Sequence, residues 1–380
     1  MRGIGRNVIL LSLISLFNDI SSEIIYPLLP IFITSVLGAS TVALGIIEGV
    51  AESTASILKL FSGYLSDRVR KRKPIVVLGY LISNLSRPLI GITNFAYQVG
   101  IFRFLDRIGK GTRTAPRDAL LSASTEKESL GRAFGLQRAF DHLGAVIGPL
   151  IALSLLSAGF SLRNIFLFAA IPGVVALLLL IPVQEKAGGE GKRFSIGRID
   201  QNYLRFLIIV LIFTLGNSSD AFLILKATAV GIPLMMIPIL WVLLHLVKSI
   251  SSTPAGMLSD RIDRRYVIVL GWIIYSAVYF GLAWAHRPYQ VLIFFLIYGL
   301  YFGLTEGVER ALVADLIPRE KRATGYGLYH LAVGIGALPA SVLFGIFWRL
   351  FSPAFAFGFG AGLALIAALL LLFLVRSKAE

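Results

Sequence analysis

The sequence predicts an all-α polytopic membrane protein: twelve transmembrane helices in two pseudo-symmetric six-helix bundles. Three observations predict it. The 380 residues are 56% hydrophobic, with a mean hydropathy of +0.80 and only 15% charged residues, where a soluble domain carries about 25%. Apolar stretches of the roughly 20 residues that a bilayer requires recur along the whole chain. One short sequence is also written twice: Gly63-Tyr64-Leu65-Ser66-Asp67-Arg68 returns 193 residues later as Gly256-Met257-Leu258-Ser259-Asp260-Arg261. Solenoid units recur at roughly 20–50 residues, so a period of half the chain marks a duplicated bundle.

The spans run over roughly 8–36, 42–64, 74–93, 97–120, 130–157, 163–183, 204–226, 233–258, 266–285, 288–312, 324–348 and 353–376. The first is long and carries polar residues, so it reads as a retained helix and not a cleaved signal. Residues 184–203, with Gly188, Gly189 and Gly191, are the one linker-like stretch; they separate a first bundle (1–183) from a second (204–380). Basic residues gather in alternate connections: Arg68, Arg70, Lys71, Arg72 and Lys73 after span 2, Lys192, Arg193 and Arg198 after span 6, Arg261, Arg264 and Arg265 after span 8. Positive-inside topology makes these connections and both termini cytoplasmic in a plasma (inner) membrane. The same distribution accounts for the net charge of +15 without a nucleic-acid partner. The chain has no cysteine, so disulfides, thiolate metal sites and thiol catalysis are excluded. It has no Walker-type lysine loop for ATP, and its histidines lack metal-ligand spacing. The expectation is a protein that is not an enzyme, with no cofactor and no metal.

Ionisable groups in hydrocarbon cost about 2.5–3.5 kcal/mol each on insertion scales, so they face a cavity or a partner. Span 1 offers Asn18, Asp19, Glu23 and Tyr26 spaced for one face, and span 7 echoes them with Asn217 and Asp220. Polar or broken helices at matching positions of two repeats point to a midplane site. Span 2 carries Glu48 and Glu52 one turn apart. Span 4 is the most loaded. At ~100° per residue, Arg103, Arg107, Lys110, Arg113 and Arg117 fall within about 120°, with Asp106 on the same face. Five cations on one stripe need carboxylates or an anionic ligand. Span 5 adds Arg138, Asp141 and His142, and span 10 adds Glu306, Glu309 and Arg310. Some of these groups form salt bridges that only hold the bundle together. Proton coupling needs a buried carboxylate able to exchange a proton; Asp19, Glu23, Asp106, Asp141 and Asp220 are the candidates.

The doubled element, the twelve spans and the central loop together resemble the major facilitator superfamily, over essentially the whole chain. Where that family usually has Gly two residues after the Asp-Arg pair, this chain has Arg70 and Asp263. Gly63 and Gly256 would let helices approach closely, and Asp67 and Asp260 would supply the charge of a cytoplasmic latch. Arg68 is expected to reach Asp118, and Arg261 to reach Asp315. In span 5, Gly135, Gly144 and Gly148-Pro149 resemble the glycine motif of proton-coupled antiporters, drug exporters above all; the plainer reading is a small-residue packing face. In span 4, Arg107 to Ala115 resembles another family stretch, with Lys110 and Arg113 in place of the usual Gln and Gly.

The resemblance implies a secondary transporter whose halves rock about a central cavity, using the proton gradient to export a small organic compound. The stripe on span 4 favours an anionic or zwitterionic one. The other readings are an importer or uniporter of an organic anion, a metal-ion transporter, or a non-transporting sensor with the same fold. The partners implied are a small-molecule substrate, protons and the lipid bilayer, around a monomer.

Overall fold

The computed structural model describes residues 5–68, 72–125, 130–185, 200–317 and 322–375, which are helical with no strand among them. The helices are α1 (Arg6–Ile25), α2 (Leu29–Ile31), α3 (Thr41–Arg68), α4 (Lys73–Leu89), α5 (Ala96–Ala123), α6 (Leu130–Ser157), α7 (Leu162–Phe168) and α8 (Ala170–Leu180). After the central connection come α9 (Gln201–Gly216), α10 (Ala221–Ala229), α11 (Ile237–Ser259), α12 (Arg264–Trp284), α13 (Pro288–Leu316), α14 (Arg322–Leu350) and α15 (Pro353–Leu374). They make twelve spans, because α1 continues through α2 and a π-helical turn at Phe32–Val36, α7 runs into α8, and α9 with α10 forms one broken span.

Eleven of the twelve are long and apolar enough to cross a membrane by length and composition. The twelfth is α5, whose charged stripe disqualifies it by composition alone. It is tolerated because Arg103, Asp106, Arg107 and Arg113 are all buried against protein, where charges find partners that lipid would not supply.

Contacts gather the chain into two units: Met1–Leu37 with Thr54–Arg193, and Gly38–Ser53 with Phe194–Glu380. The second unit therefore includes the first half of α3, a division that the linker at 184–203 does not reveal. Glycine makes the difference, since a Cβ on Gly45 would run into the Ser341 carbonyl, and one on Gly49 would stand 3.0 Å from Leu338. Ser53 Oγ donates to the Gly334 carbonyl, and Thr41 Oγ1 to that of Gly345 at 3.0 Å. The first half of α3 thus lies along α14.

The two units repeat one packing plan. In the first, α1 packs on α6 and α8, and α4 on α5 and α8; in the second, α9 packs on α14 and α15, and α12 on α13 and α15. Two turns require glycine: Gly159 (φ +82°) ends α6 and Gly231 (φ +90°) ends α10. At each, the next residue's N–H reaches back five residues, Phe160 to Leu155 and Ile232 to Ala227, both at 3.1 Å, satisfying carbonyls the helix leaves open. Large apolar side chains such as Ile171, Ile250 and Phe373 stay exposed, as they do where the surrounding solvent is hydrocarbon.

Candidate functional site

In the first unit the site is built around Asp106 on α5, which is 2% exposed. Arg87 Nε lies 2.8 Å from its Oδ1, and Arg103 Nη1 and Arg107 Nε lie 3.5 and 3.8 Å from its Oδ2. Arg87, from α4, also donates to the Asn18 carbonyl at 2.9 Å and to the side-chain oxygens of Asn18 and Asn84 at 3.1 and 3.3 Å. One guanidinium thus ties α1, α4 and α5 together. Gly79 and Gly109 let α4 and α5 approach this closely, because a Cβ on either would press on the other's carbonyl. Arg113 lies 4.6 Å over the Tyr80 ring and donates to Ser83 Oγ, while Arg103 lies 5.2 Å over the Tyr26 ring. Aromatic faces attract desolvated cations. Four buried guanidiniums therefore surround one buried carboxylate.

Beside this cluster, α6 crosses α1 at glycines. A Cβ on Gly144 would stand 2.8 Å from the Leu16 carbonyl and 2.9 Å from Asp19 Cβ, and one on Gly148 would stand 2.8 Å from Glu23 Cβ. The glycine spacing seats α6 on the face of α1 that bears Asp19 and Glu23. Asp141, one turn before Gly144, accepts from Gln137 Nε2 at 2.7 Å and has Arg138 Nη1 3.6 Å away. Asn18 Nδ2 donates to Asp19 at 3.0 Å.

The second unit fastens its polar groups with phenols instead. The break between α9 and α10 falls on Asn217–Asp220. Tyr298 OH donates to Asp220 at 2.7 Å, Asn217 Nδ2 to Tyr301 OH at 3.1 Å, and Tyr275 OH to the Gly216 carbonyl at 3.0 Å. Span 1, by contrast, runs helical through Asn18–Glu23 and breaks only after Ile25, so the two polar motifs match in place but not in backbone form. Glu309 on α13 accepts from Trp272 Nε1 at 3.0 Å and from Tyr329 OH at 2.5 Å. Glu306 pairs with Arg310 at 3.1 Å on a more exposed face.

At the α11 end the latch differs from the sequence expectation. Arg261 is exposed, and Arg264 bridges the carboxylates: it lies 3.3 Å from Asp260 and 2.6 Å from Asp315. Helix α12 begins at Arg264, which aims that side chain back across the turn. Nor does Gly256 mark a close approach, since a Cβ there would meet open space. Asp118 is held by its neighbour Arg117 at 2.8 Å. The side chains of Gly63, Asp67, Arg68 and Gly135 lie outside the described residues. Among the described residues no group of three His, Asp or Glu could hold a metal ion.

The sequence model of the Major Facilitator Superfamily matches residues 11–246 and 206–380. The chain belongs to this superfamily. An uncharacterised MFS-type transporter of Methanocaldococcus jannaschii is 40% identical over 98% of this chain and 96% of its own. The cis,cis-muconate transport protein of Acinetobacter baylyi is 22% identical over 80% of this chain and 79% of its own. The nucleoside transporter NupG, as its D323A mutant, shares the fold with a TM-score of 0.80 at 11% identity, over 98% of this chain and 100% of that one. This Major Facilitator Superfamily protein is thus a membrane transporter and not an enzyme.

Several residues that organise the transporter's two clusters escape a sequence reading. Arg87 stands beside Pro88 near the end of its span and reads as a flanking charge, although its burial is nearly complete. Asn84, a turn before it, was the available signal. Trp272, Tyr298 and Tyr329 are indistinguishable by composition from core aromatics, and only their bonds to Glu309 and Asp220 set them apart.

Proposed function

We propose that the protein is a proton-coupled exporter of a small organic anion, working by alternating access in the plasma membrane with both termini cytoplasmic. The observation that carries this reading is the first-unit cluster: four buried guanidiniums on α4 and α5 around a single buried carboxylate. Taking charges out of water is costly unless they are paired and hydrogen-bonded. A guanidinium is shaped for bidentate contact with a carboxylate or similar anion. Asp106, with its three guanidiniums, serves in this scheme as a fixed counter-charge that orients the arginines. Proton exchange falls to Asp19, Glu23 and Asp141 at the glycine crossing of α1 and α6, where helix movement would alter their surroundings directly. The glycines of α6 support export, and the Arg264 latch holds one cytoplasmic end while the protein faces outward. The proton gradient supplies the energy, the lipid bilayer is the surrounding partner, and the working unit is a monomer.

Uptake of an organic anion is the second reading, favoured by the likeness to a muconate transporter. Everted vesicles separate the two. Accumulation of a carboxylate in the lumen, driven by luminal acid, supports export; loss of preloaded carboxylate under the same gradient supports uptake.

A further inference from the structure

We propose that Glu309 is a separate proton-binding site in the second unit, so that each unit carries a proton-exchanging carboxylate of its own. The inference deepens the proton-coupled reading and rests on it for its role in transport, though not for the binding of the proton.

Glu309 is 7% exposed, and both oxygens are engaged, one by Trp272 Nε1 and the other by Tyr329 OH. Both donors are neutral. The titratable groups that act on it are Glu306, Arg310 and Tyr301 on α13 itself and Tyr329 on α14; the elements packed on α13 also bring His330 on α14, Tyr275 on α12, Tyr203 on α9, His245 and Lys248 on α11 and Lys226 on α10. Arg310 follows Glu309 in sequence, so its side chain leaves the helix ~100° away, and it pairs with Glu306 at 3.1 Å. Tyr203 donates to the Gly325 carbonyl. No guanidinium or ammonium among the described residues lies within salt-bridge distance of Glu309. Asp106, Asp118, Asp260 and Asp315 each have an arginine within that distance.

The pocket offers the carboxyl a partner on each oxygen in both protonation states. A charged carboxylate takes both donors. When Glu309 gains a proton, its own O–H donates to the Tyr329 oxygen, because a phenol both donates and accepts, while Trp272 goes on donating to the other oxygen. One hydrogen bond reverses direction, and the phenol proton turns away from the carboxyl. Burial disfavours the charged form and the two donors favour it; a group between opposed influences can exchange its proton. An ion-paired Asp106 has no such second state.

The test is pH-difference infrared spectroscopy of the whole transporter in lipid, reading protonated-carboxyl bands, alongside proton counting during substrate flux. Wild type is expected to show a titrating carboxyl band that Glu309→Gln lacks and Asp141→Asn keeps. Tyr329→Phe retains the ring and removes one donor, and is expected to move that band's midpoint; it serves if Glu309→Gln fails to fold. A spectrum unchanged by Glu309→Gln, or a midpoint unmoved by Tyr329→Phe, overturns the proposal. Presence of the Glu309 band in a wild type that moves no protons with substrate sustains the binding site and removes the proton-coupled reading instead.

Discussion

Asp106 shows how much a single side chain can hold. Arg87 from α4 and Arg103 and Arg107 from α5 itself gather on it, and Arg87 carries the link on to Asn18 of α1, so Asp106→Asn leaves buried guanidiniums without their counter-charge. Breaking a buried pair by removing one partner costs about 3–5 kcal/mol, and the variant is expected to lose most of its folded population in thermal unfolding in detergent. Arg87→Gln with Asp106→Asn removes charge of both signs and is expected to recover part of that loss; equal instability of single and double variants would contradict the pairing. At the turn between α11 and α12, Arg264 touches both Asp260 and Asp315 whereas Arg261 is exposed. Transport assays are therefore expected to show Arg264→Ala well below wild type and Arg261→Ala close to it, although the doubled motif singles out Arg261.

Between elements, the α1–α6 crossing depends on having no side chain at two positions. Gly144→Val would drive α6 away from Leu16 and Asp19, and overpacking of this kind costs about 1–3 kcal/mol. The variant is expected to lose coupling before it loses expression, read as substrate flux with reduced proton movement. Gly256→Ala meets open space and is expected to change stability by less than about 0.5 kcal/mol. At this scale the sequence was legible where periodicity carried the information. The span order follows from hydropathy, and helical spacing puts Gly144 and Gly148 on one face of α6, whereas the seat of that face on Asp19 and Glu23 does not follow from it. What stayed hidden depends on tertiary direction. Arg87 is a core residue because α1 and α5 close over it, and the first half of α3 joins the second unit because Gly45 and Gly49 admit α14. No local pattern encodes either fact.

For the whole molecule, the two units share one packing plan yet treat buried polarity differently. The first neutralises charge with charge; the second surrounds Asp220 and Glu309 with hydroxyl and indole donors. On the function proposed above, that asymmetry divides the work, with anion recognition weighted to the first unit and protons exchanged in both. The most direct test is luminal pH in proteoliposomes of the purified protein, challenged with mono- and dicarboxylates, organic cations and neutral drugs. Carboxylates are expected to drive proton movement that disappears in Arg107→Ala and in Asp141→Asn, with cations silent. Carboxylate flux without proton movement, or a response confined to cations, would contradict it.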